Sequence, residues 1–144
     1  MPAEAESIGF LLARIHNNMD RQANNNLKSS GMTFSQMRIL YYLLKHGEAP
    51  PSQKDIEDFL QVSHPTVVGL IKRLEAKGLI RCAPSERDRR YKRVCCTEQS
   101  AGIHKLILSQ DAEVFDALCH DLSPEQRAQL VELADLLLRG IDLQ

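Results

Sequence analysis

The sequence predicts a mainly α-helical chain interrupted once by a short β-hairpin, and three observations carry that expectation. Apolar residues recur at helical spacing over most of the length. Serine, threonine and proline stand where helices would begin, as in Thr33-Phe34-Ser35-Gln36 and Ser52-Gln53-Lys54-Asp55. One stretch alone, Leu79 to Cys96, reads as two strands around a loop. The 144 residues suffice for one domain, or two interlocked subdomains. Sparse aromatics and the absence of tryptophan suit a helical core of leucine and isoleucine.

The first predicted helix holds Ile8, Leu11, Leu12, Ile15, Met19 and Leu27 on one face, with Asn17, Asn18, Asn24, Asn25 and Asn26 making it polar elsewhere and weak toward its end. Thr33 with Gln36 opens a helix over Ser35–Lys45, whose inner face is Met37, Ile39, Leu40, Leu43 and Leu44; His46-Gly47 ends it and Glu48-Ala49-Pro50-Pro51 is loop. Ser52 opens a short helix whose apolar positions Ile56, Phe59 and Leu60 recur at helical spacing. Gln61-Val62-Ser63 is a tight connection ending on an N-cap, and Pro65 falls in the first turn of the next helix, where a missing N–H costs nothing. In that helix Val67, Leu70, Ile71 and Leu74 form a buried stripe opposite His64, Pro65, Thr66, Val68, Gly69, Lys72 and Arg73, and Gly78 is placed as the C-cap. Leu79–Ala83 and Tyr91–Cys96 read as strands joined by Pro84–Arg90. Thr97 is expected to cap a long helix to about His120 with Ile103, Leu106, Ile107, Val114 and Leu118 inward, and Ser123-Pro124-Glu125-Gln126 starts a last helix carrying Leu130, Val131, Leu133, Ala134, Leu137 and Leu138. No internal repeat or low-complexity tract is visible.

Two helices joined by a short turn, the second with a polar and cationic outer face, are what major-groove reading requires. The hairpin behind them is a wing able to lie along the adjacent minor groove, where arginine is drawn to the negative potential. The sequence therefore predicts a winged helix-turn-helix, a three-helix core plus a β-hairpin wing, that binds double-stranded DNA. Charge distribution agrees. The whole chain carries −1, but Lys72 to Arg93 holds nine basic and three acidic residues, a local +6, whereas Asp111 to Gln144 holds two basic and eight acidic residues, −6. Ser63 belongs to the expected contact set. His64, Pro65 and Thr66 are expected at base edges, with Lys72 and Arg73 nearer the phosphates, and Gly69 allows close backbone approach. On the wing, Arg87, Arg89 and Arg90 supply charge, and Asp88 braces Arg90 for entry into the minor groove.

Asp88-Arg89-Arg90 resembles the D-x-R wing motif of the MarR family of winged helix-turn-helix regulators. Thr66-Val67-Val68, Leu70 to Glu75, Lys77-Gly78-Leu79-Ile80 and Cys96-Thr97-Glu98-Gln99 fit the surrounding pattern, and the resemblance covers nearly the whole chain. Two departures stand at the wing-to-helix joint: Cys96 replaces the usual leucine, and Ser100-Ala101 stands where many members carry a glycine. The resemblance implies a helical dimer base with two winged units below it. It further implies a small aromatic or anionic effector bound between base and winged unit, in a crevice to which His16, Met37, Tyr41 and Tyr42 are assigned.

The first and last two helices are more apolar than a winged unit needs, which points to pairing with a second chain; a monomer with those helices folded back is the alternative. A dimer lets a two-fold protein match a pseudo-palindrome. The division expected is residues 1–33 and 98–144 for the dimerisation subdomain and 34–97 for the DNA-binding subdomain. The function expected is a homodimeric, ligand-responsive repressor. Two alternatives stand beside it: a winged helix that binds another protein, which the cations of the outer face and wing oppose, and a thiol redox sensor.

Other chemistry finds no support. No Gly-rich phosphate loop, nucleophile elbow or paired-carboxylate arrangement appears, so neither enzyme nor cofactor is expected. Cys95 and Cys96 are neighbours in a strand and point to opposite faces, so they cannot share a metal. Cys82 reads as a small buried hydrophobe, and Cys119-His120 lacks partner spacing for zinc. His16 and His104 each stand alone. Without an apolar run of membrane-spanning length, and with no basic region before the N-terminal apolar residues, neither a membrane span nor a signal peptide is expected. Four cysteines without framework spacing suit a reducing cytoplasm.

Overall fold

Two reciprocal caps start the helices that carry the core. Thr33 accepts from the Gln36 N–H while Gln36 accepts from the Thr33 N–H, and Ser52 and Asp55 do the same. The computed structural model describes residues 7–46 and 49–142. Within it α1 spans Ile8–Leu27, α2 Phe34–Lys45, α3 Gln53–Leu60, α4 His64–Ala76, β1 Ile80–Pro84, β2 Lys92–Cys96, α5 His104–Leu118 and α6 Pro124–Asp142, with 3-10 turns at Lys28–Ser30 and Glu98–Ile103. Gly47 and Glu48, expected at the end of α2 and in the following loop, lie outside the described residues.

One core joins α2, α3, α4, the hairpin and α5. Leu27, Ile39, Leu40, Ile56, Val67, Leu74, Ile80, Val94 and Ile107 are at most 1% exposed. β1 and β2 pair antiparallel, with Ile80 opposite Cys96, Cys82 opposite Val94 and Pro84 opposite Lys92. The hairpin is tied to the segment before α3: Val94 N–H donates to the Pro51 carbonyl at 2.9 Å, and Arg93 forms a bridge with Ser52.

Five local expectations need correction. β1 begins and ends one residue later than Leu79–Ala83, and β2 begins one residue later than expected, leaving Tyr91 outside it. Ser63 holds the N-cap position of α4 but makes no side-chain cap, because its hydroxyl is engaged with the Thr66 hydroxyl at 2.9 Å. Thr97 does not start a long helix. Its hydroxyl donates to the Gly78 carbonyl at 2.6 Å, and the chain turns through the 3-10 segment, pinned by Ser100 Oγ donating to the Thr97 carbonyl at 2.7 Å, before α5 begins at His104. Leu118, expected inward, is exposed where α5 ends. The asparagine-rich end of α1, expected to be weak, stays helical to Leu27, and Asn24 Oδ1 accepts from the Phe34 N–H at 2.8 Å.

Two helices leave their apolar residues uncovered in the single chain. Ile8, Leu11, Leu12 and Ile15 of α1 are exposed, and α6 buries no residue although it carries Leu130, Val131, Leu133, Leu136, Leu137, Leu138 and Ile141. No helix among the described residues is long and apolar enough to cross a membrane.

The turn from α4 into the hairpin rests on Gly78. Its N–H donates to the Glu75 carbonyl at 2.9 Å and the Leu79 N–H to the Leu74 carbonyl at 3.0 Å, the paired bonds of a Schellman ending. That geometry sets φ at 74°, and an added Cβ would stand 2.6 Å from the movable Oε1 of Gln99. Gly78→Ala should therefore lower the unfolding free energy by roughly 1–2 kcal/mol, the usual cost of a left-handed L-residue. Urea unfolding should show a lower midpoint with unchanged slope; an unaltered midpoint would refute the requirement.

Candidate nucleic-acid interface

The outer face of α4 is set by its inner one. Val67 and Leu74 are fully buried and Leu70 and Ile71 nearly so, which turns His64, Pro65, Thr66, Lys72 and Arg73 to solvent, with Gly69 half-buried among them. Lys72 and Arg73 enter no ion pair among the described residues. The first turn is more organised than the sequence suggested. His64 Nδ1 bonds Glu57 Oε1 on α3, and Gln53 Nε2 lies 3.4 Å from each of those two atoms. This contact holds the Glu57 carboxyl below the usual carboxylate range, helped by Gln53 and Lys54. Glu57 and Gln53 were not among the expected site residues. No spacing rule marks a pair that meets only because the turn at Gln61 folds α3 back against α4. Gln61 adopts the left-handed conformation at φ 55°, its N–H donating to the Glu57 carbonyl at 2.9 Å.

The wing presents Arg87, Arg89 and Arg90 to solvent around a closed loop. Ser85 N–H donates to the Tyr91 carbonyl at 2.8 Å and Tyr91 N–H to the Asp88 carbonyl at 3.0 Å. The bracing of Arg90 by Asp88 is present and two-pronged. Arg90 Nη2 donates to Oδ2 at 2.9 Å and Nε to Oδ1 at 3.1 Å, while the Arg90 backbone N–H donates to Oδ1 at 3.0 Å. These bonds hold the Asp88 carboxyl below its ordinary range and push the Arg90 guanidinium above its own. The Arg90 side chain nevertheless remains 87% exposed. A guanidinium fixed in direction yet open to solvent is suited to entering a narrow anionic groove.

The residues expected to line an effector crevice are only partly brought together. Met37 and Tyr41 line a cavity of about 170 Å³ with Phe34, Arg38, Phe59, Ile107 and Asp111, where α2 meets α5. Tyr42 faces another groove, stacked on Phe59 with ring centres 4.4 Å apart, and His16 lies exposed on α1 and lines neither. Arg38 went unnoticed in the sequence because a lone cation in an amphipathic helix ordinarily reads as surface. It is half-buried, its guanidinium 5.9 Å from the centre of the Phe34 ring, and burial draws its pKa down against the pull of Asp20. No carboxylate among the described residues lies within ion-pair distance of it.

Cys82 is half-buried opposite Val94, and burial with the neighbouring Glu75 pushes its thiol up to about 11, the reverse of an activated thiolate. Cys119 is buried. No cluster of three metal-ligating side chains occurs among the described residues.

A sequence model of the MarR family matches residues 30–90. The uncharacterized HTH-type transcriptional regulator YwoH of Bacillus subtilis is 31% identical over 119 residues, which cover 83% of this chain and 85% of that protein. The HTH-type transcriptional repressor IacR of Pseudomonas putida is 24% identical over 135 residues, covering 92% and 78%. Among solved structures, that of the S. aureus MepR–DNA complex superposes with a TM-score of 0.81 at 27% identity, covering 94% of this chain and 99% of that one.

Gly69 supplies a test of what the α4 surface is for. Among the described residues, its two chain neighbours and the backbone of its own helix aside, no atom lies within 4 Å of where its Cβ would stand, so no packing contact there requires a glycine. A glycine inside a helix costs roughly 0.5–1 kcal/mol relative to alanine. Gly69→Ala should raise the unfolding free energy by that amount in urea titration, and a loss of stability would mean that the chain itself needs the gap.

Proposed function

The chain belongs to the MarR family of DNA-binding transcriptional regulators, and from that premise we propose that it acts as a homodimeric, effector-responsive repressor on a pseudo-palindromic operator. One observation carries the DNA-contact assignment: the cationic outer face of α4 continues into a wing whose tip arginine is aimed by Asp88. In this reading Ser63, His64, Pro65 and Thr66 enter the major groove, Lys72 and Arg73 meet phosphates, and Gly69 lets the α4 backbone come close. Arg87 and Arg89 flank the minor groove that Arg90 enters. The division into a winged unit over 34–97 and a dimer base from 1–33 and 98–144 belongs to the same proposal, as do a cytoplasmic setting and the absence of a catalytic step. Repression follows from occupancy, because a dimer lying across two half-sites excludes other proteins from that DNA.

The dimer is supported by energetics. A 19-residue helix that buries nothing is marginal in water, and α6 carries seven exposed large apolar side chains. Pairing with α1 and α6 of a second chain removes that surface from solvent. The effector is supported by Arg38. A half-buried guanidinium with no carboxylate within ion-pair distance among the described residues, at the wall of a small cavity with Phe34, Tyr41, Phe59 and Asp111, suits an aromatic or anionic molecule.

Light scattering at micromolar concentration should return twice the chain mass of 16.3 kDa, and a monomer would overturn the arrangement. On DNA the telling variant is Asp88→Ala. It removes a negative charge from a DNA-facing loop, so simple electrostatics expects tighter binding. Loss of the brace instead frees Arg90 to lose more entropy on entering the groove, and the variant should bind the duplex upstream of its own gene more weakly than wild type across a salt series. Tighter binding at every salt concentration would eliminate the bracing role. Gly69→Ala, stabilised in the fold, should also lose affinity for that duplex.

A further inference from the structure

We infer that Glu57 is a positioning residue for DNA reading: it fixes the tautomer of His64, so that the base preferred at the point His64 reaches depends on the protonation of that ring. The inference rests on the duplex-binding role proposed for α4 and names a determinant of its specificity. Glu57 is 12% exposed at its side chain and His64 67%, so the pair runs from beneath α4 out to its solvent face. An ionised carboxylate only accepts hydrogen bonds. The contact between Glu57 Oε1 and His64 Nδ1 therefore requires the hydrogen to sit on Nδ1. The Gln53 amide cannot then donate to Nδ1, and its acceptor is Glu57 Oε1, at 3.4 Å. The His64 contact holds the Glu57 carboxyl below its ordinary range, with smaller help from Gln53 and from Lys54 Nζ, 4.0 Å from Glu57 Oε2 and nearer still to Asp58.

With Nδ1 committed to α3, Nε2 lies on the opposite edge of the ring, turned away from Glu57, and bonds no described residue. Its hydrogen-bonding sense then follows the charge of the ring. In neutral His64 it is an acceptor, which matches the exocyclic amine of adenine or cytosine in the major groove. In protonated His64 it is a donor, which matches guanine O6 or N7, thymine O4 or adenine N7. Cytosine is therefore read by the neutral ring alone, guanine and thymine by the charged ring alone, and adenine by either. The charged groups facing the ring are few. Glu57 comes from α3 with Lys54 behind it, and on α4 the neighbours Ser63, Pro65, Thr66 and Val67 are uncharged, leaving only the partial positive charge of the helix N-terminus. A histidine freed from such a pair no longer has Nδ1 forced to donate, and Nε2–H, the more stable form of an isolated ring, returns. That form donates at every pH.

The test has two readouts. Long-range ¹H–¹⁵N NMR on the free wild-type protein at pH 8.5 should find His64 with its hydrogen on Nδ1, and on Glu57→Ala with its hydrogen on Nε2. Binding is then measured by selection from duplexes randomised at each half-site position, at pH 8.5 and pH 5.5. Wild type should change its preference for cytosine over guanine or thymine at one position per half-site by at least about fivefold between the two conditions, the lower limit for one good direct contact. Glu57→Ala should show the acid preference at both, His64→Ala no preference there, and Thr66→Ala the wild-type change. A wild-type ring with its hydrogen on Nε2 overturns the inference even if the variant fails to fold. So does a Glu57→Ala protein that keeps the pH-dependent preference, which would make the pair a mere tie between helices. Failure of wild type to bind any duplex refutes the DNA reading as well, whereas binding with a pH-independent preference refutes this inference alone.

Discussion

The buried stripe of α4 is the constraint on which the rest depends. A helix can rotate about its own axis, and Val67, Leu70, Ile71 and Leu74 remove that freedom by entering one core with Ile39, Leu40 and Ile56. Each such side chain contributes roughly 1.5–3 kcal/mol on full burial, whereas an exposed ion pair contributes about 1 kcal/mol or less. Packing therefore decides where Thr66, Lys72 and Arg73 point, and the charges follow. The same packing leaves most of the outer face available for function; among the described residues, His64 alone of the expected contact set is also bonded to a neighbouring helix, through Glu57 of α3. Gly69 illustrates the division: the chain gives it empty space and no structural task.

The end of that helix governs the wing. Gly78 and Leu79 close α4 with paired bonds, and the same two residues receive the Thr97 hydroxyl and the Thr97 N–H from the far side of the hairpin. β2 is also held to the Pro51–Ser52 segment that begins α3. The hairpin is thus anchored at its base to both helices of the reading unit. Asp88 then works at the other end, fixing the direction of one side chain on a loop whose backbone is already closed by Ser85 and Tyr91. Direction of the tip is a product of these successive local attachments.

Much of this was legible in the sequence because it is periodic or local. The α4 stripe repeats at helical spacing, the two capping boxes close within three residues, and Asp88 reaches Arg90 across one residue. What stayed hidden joins distant residues. Thr97 looked like an N-cap because its chemistry suits one, but its hydroxyl is engaged by Gly78, nineteen residues away. Ser63 looked like a cap for the same reason, and Thr66 claimed it. Periodicity places a residue on a face without naming what it meets there. For that reason neither the Glu57–His64 contact nor the half-buried state of Arg38 could be read, and His16 was assigned to a crevice it does not line.

The position of the small cavity gives the proposed regulation a physical route. Its walls are Phe34, Met37, Arg38 and Tyr41 of α2, Phe59 of α3, and Ile107 and Asp111 of α5. α2 packs directly on α4, while α5 packs on α1 and leads into the uncovered helix α6. In the proposed dimer the cavity therefore spans the joint between the reading unit and the base that sets half-site spacing. A ligand seated there would contact both sides of the joint and shift their separation only by as much as it favours one spacing over the other. Arg38 offers such a difference, because a partly desolvated guanidinium with no carboxylate within ion-pair distance among the described residues gains most from an anion where the walls close around it. Coupling between distant sites of a few kcal/mol is ordinary for such joints, and the tight core behind α4 transmits it because close-packed side chains yield little to strain.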